Sequence, residues 1–304
     1  MRLFKETHID FIGLRKIAFI VSGIAIAAGL ASLIFKGGPK LGLDFTGGVE
    51  IHLKFDQSPS IARIRSALRE IDLEGAVIQQ YGAKKENLIL IRCGVERASQ
   101  KELIGKIDKV LKEEFDEENA FVLQSIDMIG PKVSGELRRK AILAIALSLL
   151  GMLIYITWRF ELRFAVGAVA ALAHDIFVTT GALSLGNFEF TLPVIAALLT
   201  IIGYSLNDTI VIYDRLRENL KTYRKRKTSL KHVLNLGINQ SLSRTVITSL
   251  TTFFVVIMLF LKGGAVLHGF AFALLIGIIV GTYSSSFIAT PIVYSWGKGG
   301  MREK

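Results

Sequence analysis

The sequence has very little cysteine, and its histidines are few and scattered. Cys93 is the only cysteine among 304 residues, which excludes an intramolecular disulfide framework. The five histidines show no metal-ligand spacing, and no Ser/His/Asp or Cys/His constellation stands outside the apolar runs. We therefore expect no metal, no cofactor and no enzymatic activity.

The first apolar run lacks the small-residue cleavage site that follows a signal peptide. It covers residues 17–35, and these 19 residues exceed the usual length of a signal-peptide core. A polar segment with four basic residues precedes it. We interpret residues 1–35 as a cytoplasmic N-terminus followed by an uncleaved first transmembrane helix.

Apolar residues dominate the rest of the chain. They make up 51% of it, and the mean hydropathy is positive, which is typical of a membrane protein. The net charge of +11 could indicate nucleic acid binding, but residues 36–140 hold 18 basic and 17 acidic side chains. The excess lies in short segments at the ends of apolar runs. Membrane topology explains it, and we expect contact with membrane lipid but not with nucleic acid.

Five further apolar runs predict five more transmembrane helices. They cover residues 141–158, 164–185, 191–213, 245–261 and 269–294. The basic segments are the N-terminus, the loop after the second run, residues 214–244 and the tail 295–304; residues 214–244 carry nine Lys or Arg against two acids. The positive-inside rule makes that side cytoplasmic, with both termini in the cytoplasm of a multi-pass inner-membrane protein and residues 36–140 outside.

Residues 36–140 form the one sizeable soluble region that the sequence predicts. Hydrophobic and polar residues alternate from Val49 to Phe55, as in a half-buried strand. Helical and strand patterns follow at residues 60–71, 76–81, 87–92, 99–115 and 120–128. The order β-α-β-β-α-β predicts an α+β domain of the ferredoxin-like kind, which by itself indicates no function.

A glycine pair lies just before the first strand of this domain. It ends the sequence Asp44-Phe45-Thr46-Gly47-Gly48. Paired glycines predict positive φ angles or a close approach of backbones, and on spacing alone the pattern favours a turn or bulge that leads into the strand. The lack of a Lys-Ser/Thr ending and of a preceding strand excludes a phosphate-binding loop.

The fourth apolar run carries an acid, Asp208, inside the membrane. An acid at this depth costs at least roughly 2.5–3.5 kcal/mol to insert, so a functional role is the default hypothesis. Tyr204 and Ser205 precede it by four and three residues and could hydrogen-bond to it, and Asn207 adds polarity. A proton or ion role and a purely structural buried acid both remain open.

Arg244 opens the fifth run at a depth that matches Asp208. It could snorkel to the membrane surface, but the matching depth favours pairing with the acid. Thr248 follows on the same helical face. A protonatable acid that faces a fixed cation would form a two-state proton switch.

The third run has its own acid, Asp175, beside His174. Gly167 and Ala171 share a helical face with Asp175, so a neighbouring helix can approach closely. A transport role for this acid and a neutral acid that bonds helices together remain open. Gly277 and Gly281 form a second small-residue face, and we expect these faces to pack against a membrane partner.

Several motifs together make the chain resemble the SecF family, the smaller membrane subunits of the SecDF accessory complex of bacterial and archaeal protein export. They are Gly42–Gly48, Ala173-His174-Asp175, Ile202–Thr209, Tyr213–Asn219 and Ser243-Arg244-Thr245. That family is related to the resistance-nodulation-division exporters. The resemblance covers nearly the whole chain and makes the glycine motif a family feature.

The resemblance implies partnership with SecD and, through it, with the SecYEG channel and an exported unfolded polypeptide. It also implies that entering protons power movement of the outer domain, and that Asp208 and Arg244 belong to the proton path. Two other classes remain as alternatives: half of a small-molecule or lipid exporter of the same superfamily, and a passive membrane scaffold.

Overall fold

The computed structural model describes residues 7–81, 86–93, 100–115, 119–223 and 228–300. The chain divides into two compact units, which we call the sheet unit (Leu41–Ala141) and the membrane bundle (Met1–Lys40 with Ile142–Lys304). In chain order the elements are α1 (Arg15–Phe35), α2 (Leu43–Thr46), β1 (Gly48–Phe55), α3 (Ile61–Arg69), β2 (Val77–Tyr81), β3 (Leu88–Cys93), α4 (Gln100–Phe115), β4 (Phe121–Ile129), α5 (Pro131–Arg159), α6 (Leu162–Leu185), α7 (Leu192–Tyr223), α8 (Leu230–Lys262), α9 (Gly264–Ser284), a π-helix (Ser285–Ala289) and α10 (Thr290–Gly300).

The sheet unit has the ferredoxin-like arrangement that the sequence predicts. Its four strands are antiparallel in the order β2-β3-β1-β4, with α3 and α4 on one face. The alternating residues Val49, Ile51, Leu53 and Phe55 are buried against these helices, because successive side chains of a strand point to opposite faces. The fold class of the soluble region is thereby confirmed.

The described part of the chain contains six helical segments long and apolar enough to cross a membrane, which confirms the predicted number. They are α1, α5, α6, α7, α8 and the continuous run of α9, the π-helix and α10. Their apolar side chains point outward on α1, α5 and α8, where Phe35, Leu147 and Val255 are exposed. Side chains of this kind are suited to contact with lipid tails.

Helix ends differ from the predicted spans. The predicted basic loop at residues 214–244 is wrong as a loop, because α7 continues to Tyr223 and α8 begins at Leu230; residues 224–227 lie outside the described part. Ser229 starts α8 by accepting a hydrogen bond from the His232 amide at 3.3 Å. Polarity marks where a helix leaves the apolar phase, and backbone hydrogen bonding continues past that point.

The second and sixth spans are also extended, the second at its start and the sixth at its end. The second span belongs to a helix that begins at Pro131 rather than at residue 141, with proline in the first helical position. Within the predicted tail 295–304, α10 continues to Gly300, and residues 301–304 lie outside the described part. The π-helix that follows α9 has no counterpart in the prediction.

Residues 7–14 form an N-terminal clamp on α8. The amide side chain of Asn239 bonds both the amide and the carbonyl of Ile9, and Asn235 Oδ1 accepts from the Ile12 amide at 3.0 Å. Asp10 pairs with Lys231 at 2.6 Å. Ile12 is fully buried in the core of the membrane bundle. The clamp therefore fixes the start of the helix that carries Arg244.

Candidate functional site in the membrane bundle

Asp208 is buried where α7, α8 and α9 meet. It is 2% exposed, and its Oδ2 lies 3.2 Å from Ser249 Oγ on α8. Ser249 Oγ lies 2.7 Å from Thr282 Oγ1 on α9, which donates to the Ile278 carbonyl at 2.8 Å. The carboxyl therefore ends a chain of two hydroxyls that joins the three helices.

This hydroxyl chain has two self-consistent directions, because each hydroxyl has one proton to donate. When Asp208 is ionised, Ser249 donates to it and Thr282 can donate to Ser249. When Asp208 is protonated, it donates to Ser249, Ser249 donates to Thr282, and Thr282 donates to the Ile278 carbonyl. Protonation of one acid thus changes hydrogen bonds on three helices.

Arg244 does not form an ion pair with Asp208, although the structure describes both residues. Its side chain is exposed, and its charge attracts the Asp208 carboxyl at longer range. The predicted contact is wrong for this conformation, because the packing of α7 on α8 puts Ser249 against the carboxyl instead. Whether Arg244 belongs to a proton path stays a prediction.

The α7 residues that the sequence assigns to Asp208 have other partners. Ser205 Oγ donates to Asp175 on α6 at 2.6 Å, and Tyr204 Oη donates to the Thr248 carbonyl on α8 at 3.2 Å. Asn207 is exposed on the surface of the bundle. The predicted bonds from Tyr204 and Ser205 to Asp208 are therefore wrong, since carboxyl and carbonyl acceptors on neighbouring helices take both hydroxyls.

The hydroxyl of Thr248 forms hydrogen bonds within its own helix. Its Oγ1 donates to the carbonyls of Arg244 and Thr245, at 3.1 Å and 2.9 Å. Thr248 therefore touches the site through its backbone carbonyl, which receives the Tyr204 hydroxyl. This contact ties α7 to α8 one turn away from Asp208.

Asp175 is the second buried acid, and it is fully enclosed by α6, α7 and α9. Its Oδ2 accepts from Ser205 Oγ at 2.6 Å and from Ser284 Oγ at 2.8 Å, and its Oδ1 lies 3.0 Å from His174 Nδ1. The His174 ring continues to α1, where its Nε2 lies 2.9 Å from Ser22 Oγ. Four helices thus share one polar cluster around Asp175.

The small residues predicted for helix packing all contact helices of the same chain. A Cβ on Gly277 would lie 2.3 Å from Ile201 carbons, and one on Gly281 would lie 3.0 Å from Ser205 Cβ. A Cβ on Gly167 would lie 2.7 Å from Tyr213 Oη. Ala171 is buried in the bundle core. The expectation that the two glycine faces serve a membrane partner is wrong, because α7 and the π-helix region fill them.

Four residues of these clusters were missed by the sequence prediction. They are Ser22, Ser249, Thr282 and Tyr283. Each is one of many hydroxyl-bearing residues in the apolar runs. The one available signal was the density of hydroxyls in the sixth run, which packing alone explains equally well.

The glycine motif of the sheet unit has a clear backbone role. Leu43–Thr46 form one helical turn, and Gly47 then takes φ 71° and ψ 167°, a region that only glycine adopts readily. Gly48 has φ 131°, and a Cβ there would lie 2.4 Å from the Cys93 carbonyl. The predicted positive φ angles are present. Leu43 and Phe45 are buried, so the motif anchors the chain where it enters β1.

The fold and the buried acids define a class of protein: a multi-pass membrane protein whose helices enclose two carboxyl groups and whose soluble unit is ferredoxin-like. The family model described as protein export membrane protein SecD/SecF, C-terminal, matches residues 109–299, and the SecD/SecF GG motif matches residues 32–59.

Similar curated proteins are each named protein translocase subunit SecF. The chain is 45% identical to the one from Calditerrivibrio nitroreducens, over 95% of this chain and 94% of that protein. It is 45% identical to the one from Magnetococcus marinus, over 98% and 95% of the two chains. The protein from Vibrio alginolyticus is 43% identical, over 96% and 91%.

The fold is similar to the crystal structure of SecDF, a translocon-associated membrane protein, from Thermus thermophilus. The TM-score is 0.84 at 35% identity, and the match covers 96% of this chain but 39% of that one. A structure of SecDF in a super-membrane-facing form matches with a TM-score of 0.69 at 33% identity, over 99% and 40%. The chain belongs to the SecD/SecF family of protein-export membrane proteins, and within that family it is similar to the SecF subunits.

Proposed function

We propose that this chain is an accessory subunit of Sec protein export that works with SecD and uses the proton motive force to promote translocation of secreted polypeptides. The observation that carries the proposal is the buried Asp208 with its reversible hydroxyl chain, in a chain similar to SecF translocase subunits. The proposed role is transport without catalysis of a chemical reaction.

A proton at Asp208 can do mechanical work because its uptake changes bonds between helices. One charge that moves through 100 mV gains about 2.3 kcal/mol, which shifts a balanced two-state equilibrium by nearly fifty-fold. The hydroxyl chain distributes this change over α7, α8 and α9. Arg244 supplies a fixed positive charge near the same carboxyl.

An exposed polar surface in the membrane supports a SecD partner. On α7 it consists of Thr200 and Asn207, and on α8 of Arg244 and Thr251. Contact of polar side chains with lipid costs free energy, so we expect a second membrane subunit to pack on this surface. The matched SecDF chain is far longer than this one, which leaves room for such a subunit. Contact with SecYEG and with the exported polypeptide belongs to the same proposal.

We place the protein in the cytoplasmic (inner) membrane with both termini in the cytoplasm. The basic segments on one side of the spans support this topology. Single cysteines in place of Lys221 and Glu113, in a Cys93→Ser background, test it by labelling intact cells with an impermeant reagent. We expect labelling at position 113 and protection at position 221. The reverse pattern contradicts the topology.

The proton role is tested with Asp208→Asn, which keeps the shape of the acid but cannot release a proton. Export into inside-out vesicles is measured with and without a proton gradient. We expect the variant to assemble with SecD and to lose the stimulation that the gradient provides. Glu218→Gln, an exposed change on the same helix, is the matched control. Full stimulation in Asp208→Asn would favour a passive scaffold.

A further inference from the structure

The hydrogen bonds of the polar cluster around His174 run from Tyr283 through Ser22 to the ring. The Tyr283 hydroxyl lies 2.8 Å from the Ala18 carbonyl, which can only accept, so Tyr283 donates its single proton there. Its second contact is Ser22 Oγ at 3.2 Å. The shorter contact with the carbonyl is the better position for this proton, so Tyr283 accepts at the longer contact and Ser22 donates there.

This direction of donation places a proton on His174. Because Ser22 has given its proton to Tyr283, it can only accept at its 2.9 Å contact with His174 Nε2. Nε2 therefore carries a hydrogen. A neutral imidazole has one N–H, so Nδ1 is then bare unless the ring is charged.

The remaining contact joins His174 Nδ1 to Asp175 Oδ1 at 3.0 Å. Two bare acceptors would repel at this distance, so one proton lies between them. It gives either a charged ring beside a carboxylate or a neutral ring beside a protonated acid. In both cases the couple holds one proton and has no net charge. Oδ2 is occupied separately by the hydroxyls of Ser205 and Ser284.

The surroundings of the couple favour this neutral state. Asp175 is 0% exposed and His174 7%, and a lone buried carboxylate is costly. Tyr283 on α9 is the titratable group that faces the ring, and α1 contributes the Ser22 hydroxyl. Asp208 lies one turn along α7 from Ser205, but its carboxyl is bonded to Ser249 on α8. No lysine or arginine pairs with Asp175 in the part of the chain that the structure describes.

We propose that His174 and Asp175 form a second proton-binding site of the membrane bundle, which holds one proton between Nδ1 and Oδ1 and exchanges it during the transport cycle. The exchange step rests on the function proposed above. The site is separate from Asp208, since it uses α1 and α6 in place of α8.

The helix that closes this site has a local irregularity suited to such a cycle. Ser284, which donates to Asp175, is the last residue of α9, and the π-helix Ser285–Ala289 begins directly after it. π-helical turns inside α-helices occur frequently at functional sites. A shift between α7 and α9 would change the contacts of the Ser205 and Ser284 hydroxyls with Oδ2.

The proton count is tested by nitrogen NMR of the full-length protein, labelled at histidine and held in lipid nanodiscs. His174→Gln identifies the signals of His174. We expect Nε2 to carry a hydrogen at neutral pH, because it donates to Ser22. Tyr283→Phe frees Ser22 to donate, so a bare Nε2 should appear in that variant. Tyr155→Phe, an exposed change on α5, should not alter the signals.

A bare Nε2 in the unaltered protein, or no change in Tyr283→Phe, would overturn the proposed proton position. The exchange step is tested by gradient-stimulated export with Asp175→Asn and His174→Gln, after co-purification with SecD confirms assembly. We expect both to lose the stimulation. If they keep it while Asp208→Asn loses it, the second site is refuted and the proposed function stands. If all three keep it, both proposals fail.

Discussion

Gly277 on α9 lies directly against Ile201 on α7, so that a Cβ at position 277 would stand 2.3 Å from two carbons of the isoleucine side chain. The next glycine on that face, Gly281, contacts Ser205 in the same way. This close approach of the two helices is what brings Thr282 and Ser284 within hydrogen-bond reach of the two acid clusters. The packing of α9 against α7 and the hydrogen bonds of the two acid clusters therefore depend on each other.

Gly277→Ala should destabilise the bundle by about 1–3 kcal/mol, because the added methyl group overpacks a filled contact. Thermal unfolding of the purified full-length protein measures the loss. Gly151→Ala on α5 is the matched control, since a Cβ there meets nothing within 4 Å. Ile201→Ala removes the clashing carbons, so it should recover part of the loss in the double variant. Equal effects of Gly277→Ala and Gly151→Ala would contradict the overpacking.

The glycine motif gives a second prediction, for the sheet unit. Gly48→Ala introduces a Cβ into the Cys93 carbonyl at a φ of 131°, and such backbone strain costs about 1–3 kcal/mol. The buried thiol of Cys93 reports the opening of this unit, and burial raises its pKa to about 11. We expect faster labelling of Cys93 by a thiol reagent in Gly48→Ala. Gly75→Ala should label like the unaltered protein, because position 75 is open. An unchanged rate in Gly48→Ala would show that the strand entry tolerates a side chain.

How much the sequence predicts depends on whether a feature is local. The alternation from Val49 to Phe55 predicts a strand because the two-residue period is a property of the strand itself. The partner of Asp208 is not local: it depends on how α7 and α8 are aligned, which selects Ser249 and leaves Arg244 exposed. Hydrophobic runs likewise predict six spans but not where α7 ends. The acids were predictable as unusual residues in an apolar phase, whereas their hydroxyl donors were not.

The N-terminal clamp makes the protein sensitive to acid at one position. The Lys231 ammonium, followed by the Gly13 amide and the Asn235 side chain, lowers the pKa of Asp10 from 3.8 to about 2. A carboxyl whose pKa is lower in the folded protein stabilises the fold at every pH above its pKa in the unfolded chain. This contribution is therefore complete above about pH 4 and is lost as the pH falls toward 2. Hydrogen exchange at the Ile9 and Ile12 amides, measured relative to a reference amide in α6, should accelerate over that interval.

Asp10→Asn removes the titrating group and is the control for that experiment. It should exchange faster than the unaltered protein at neutral pH, and its rate relative to a reference amide in α6 should not change with acid. If the two proteins show the same relative pH profile, Asp10 does not hold the clamp.

The hydroxyl chain at Asp208 yields the most specific prediction for the proposed mechanism. Ser249→Ala removes the hydroxyl that bonds the carboxyl, so the acid can no longer pass its change in protonation to α8 and α9. Thr282→Val keeps the bond between Ser249 and Asp208 but ends the chain before α9. We expect gradient-stimulated export to be lost in Ser249→Ala and reduced in Thr282→Val, with export in the absence of a gradient unchanged in both.

Thr157→Val on α5 is the matched control, because its hydroxyl donates only to the Leu153 carbonyl of its own helix and is exposed. It should retain full stimulation. A structural role alone would lower melting temperature and unstimulated export together, whereas the chain predicts a selective loss of the response to the gradient. If Ser249→Ala responds to the gradient like the unaltered protein, proton binding at Asp208 is not transmitted through Ser249, and the coupling must use a different contact of α7.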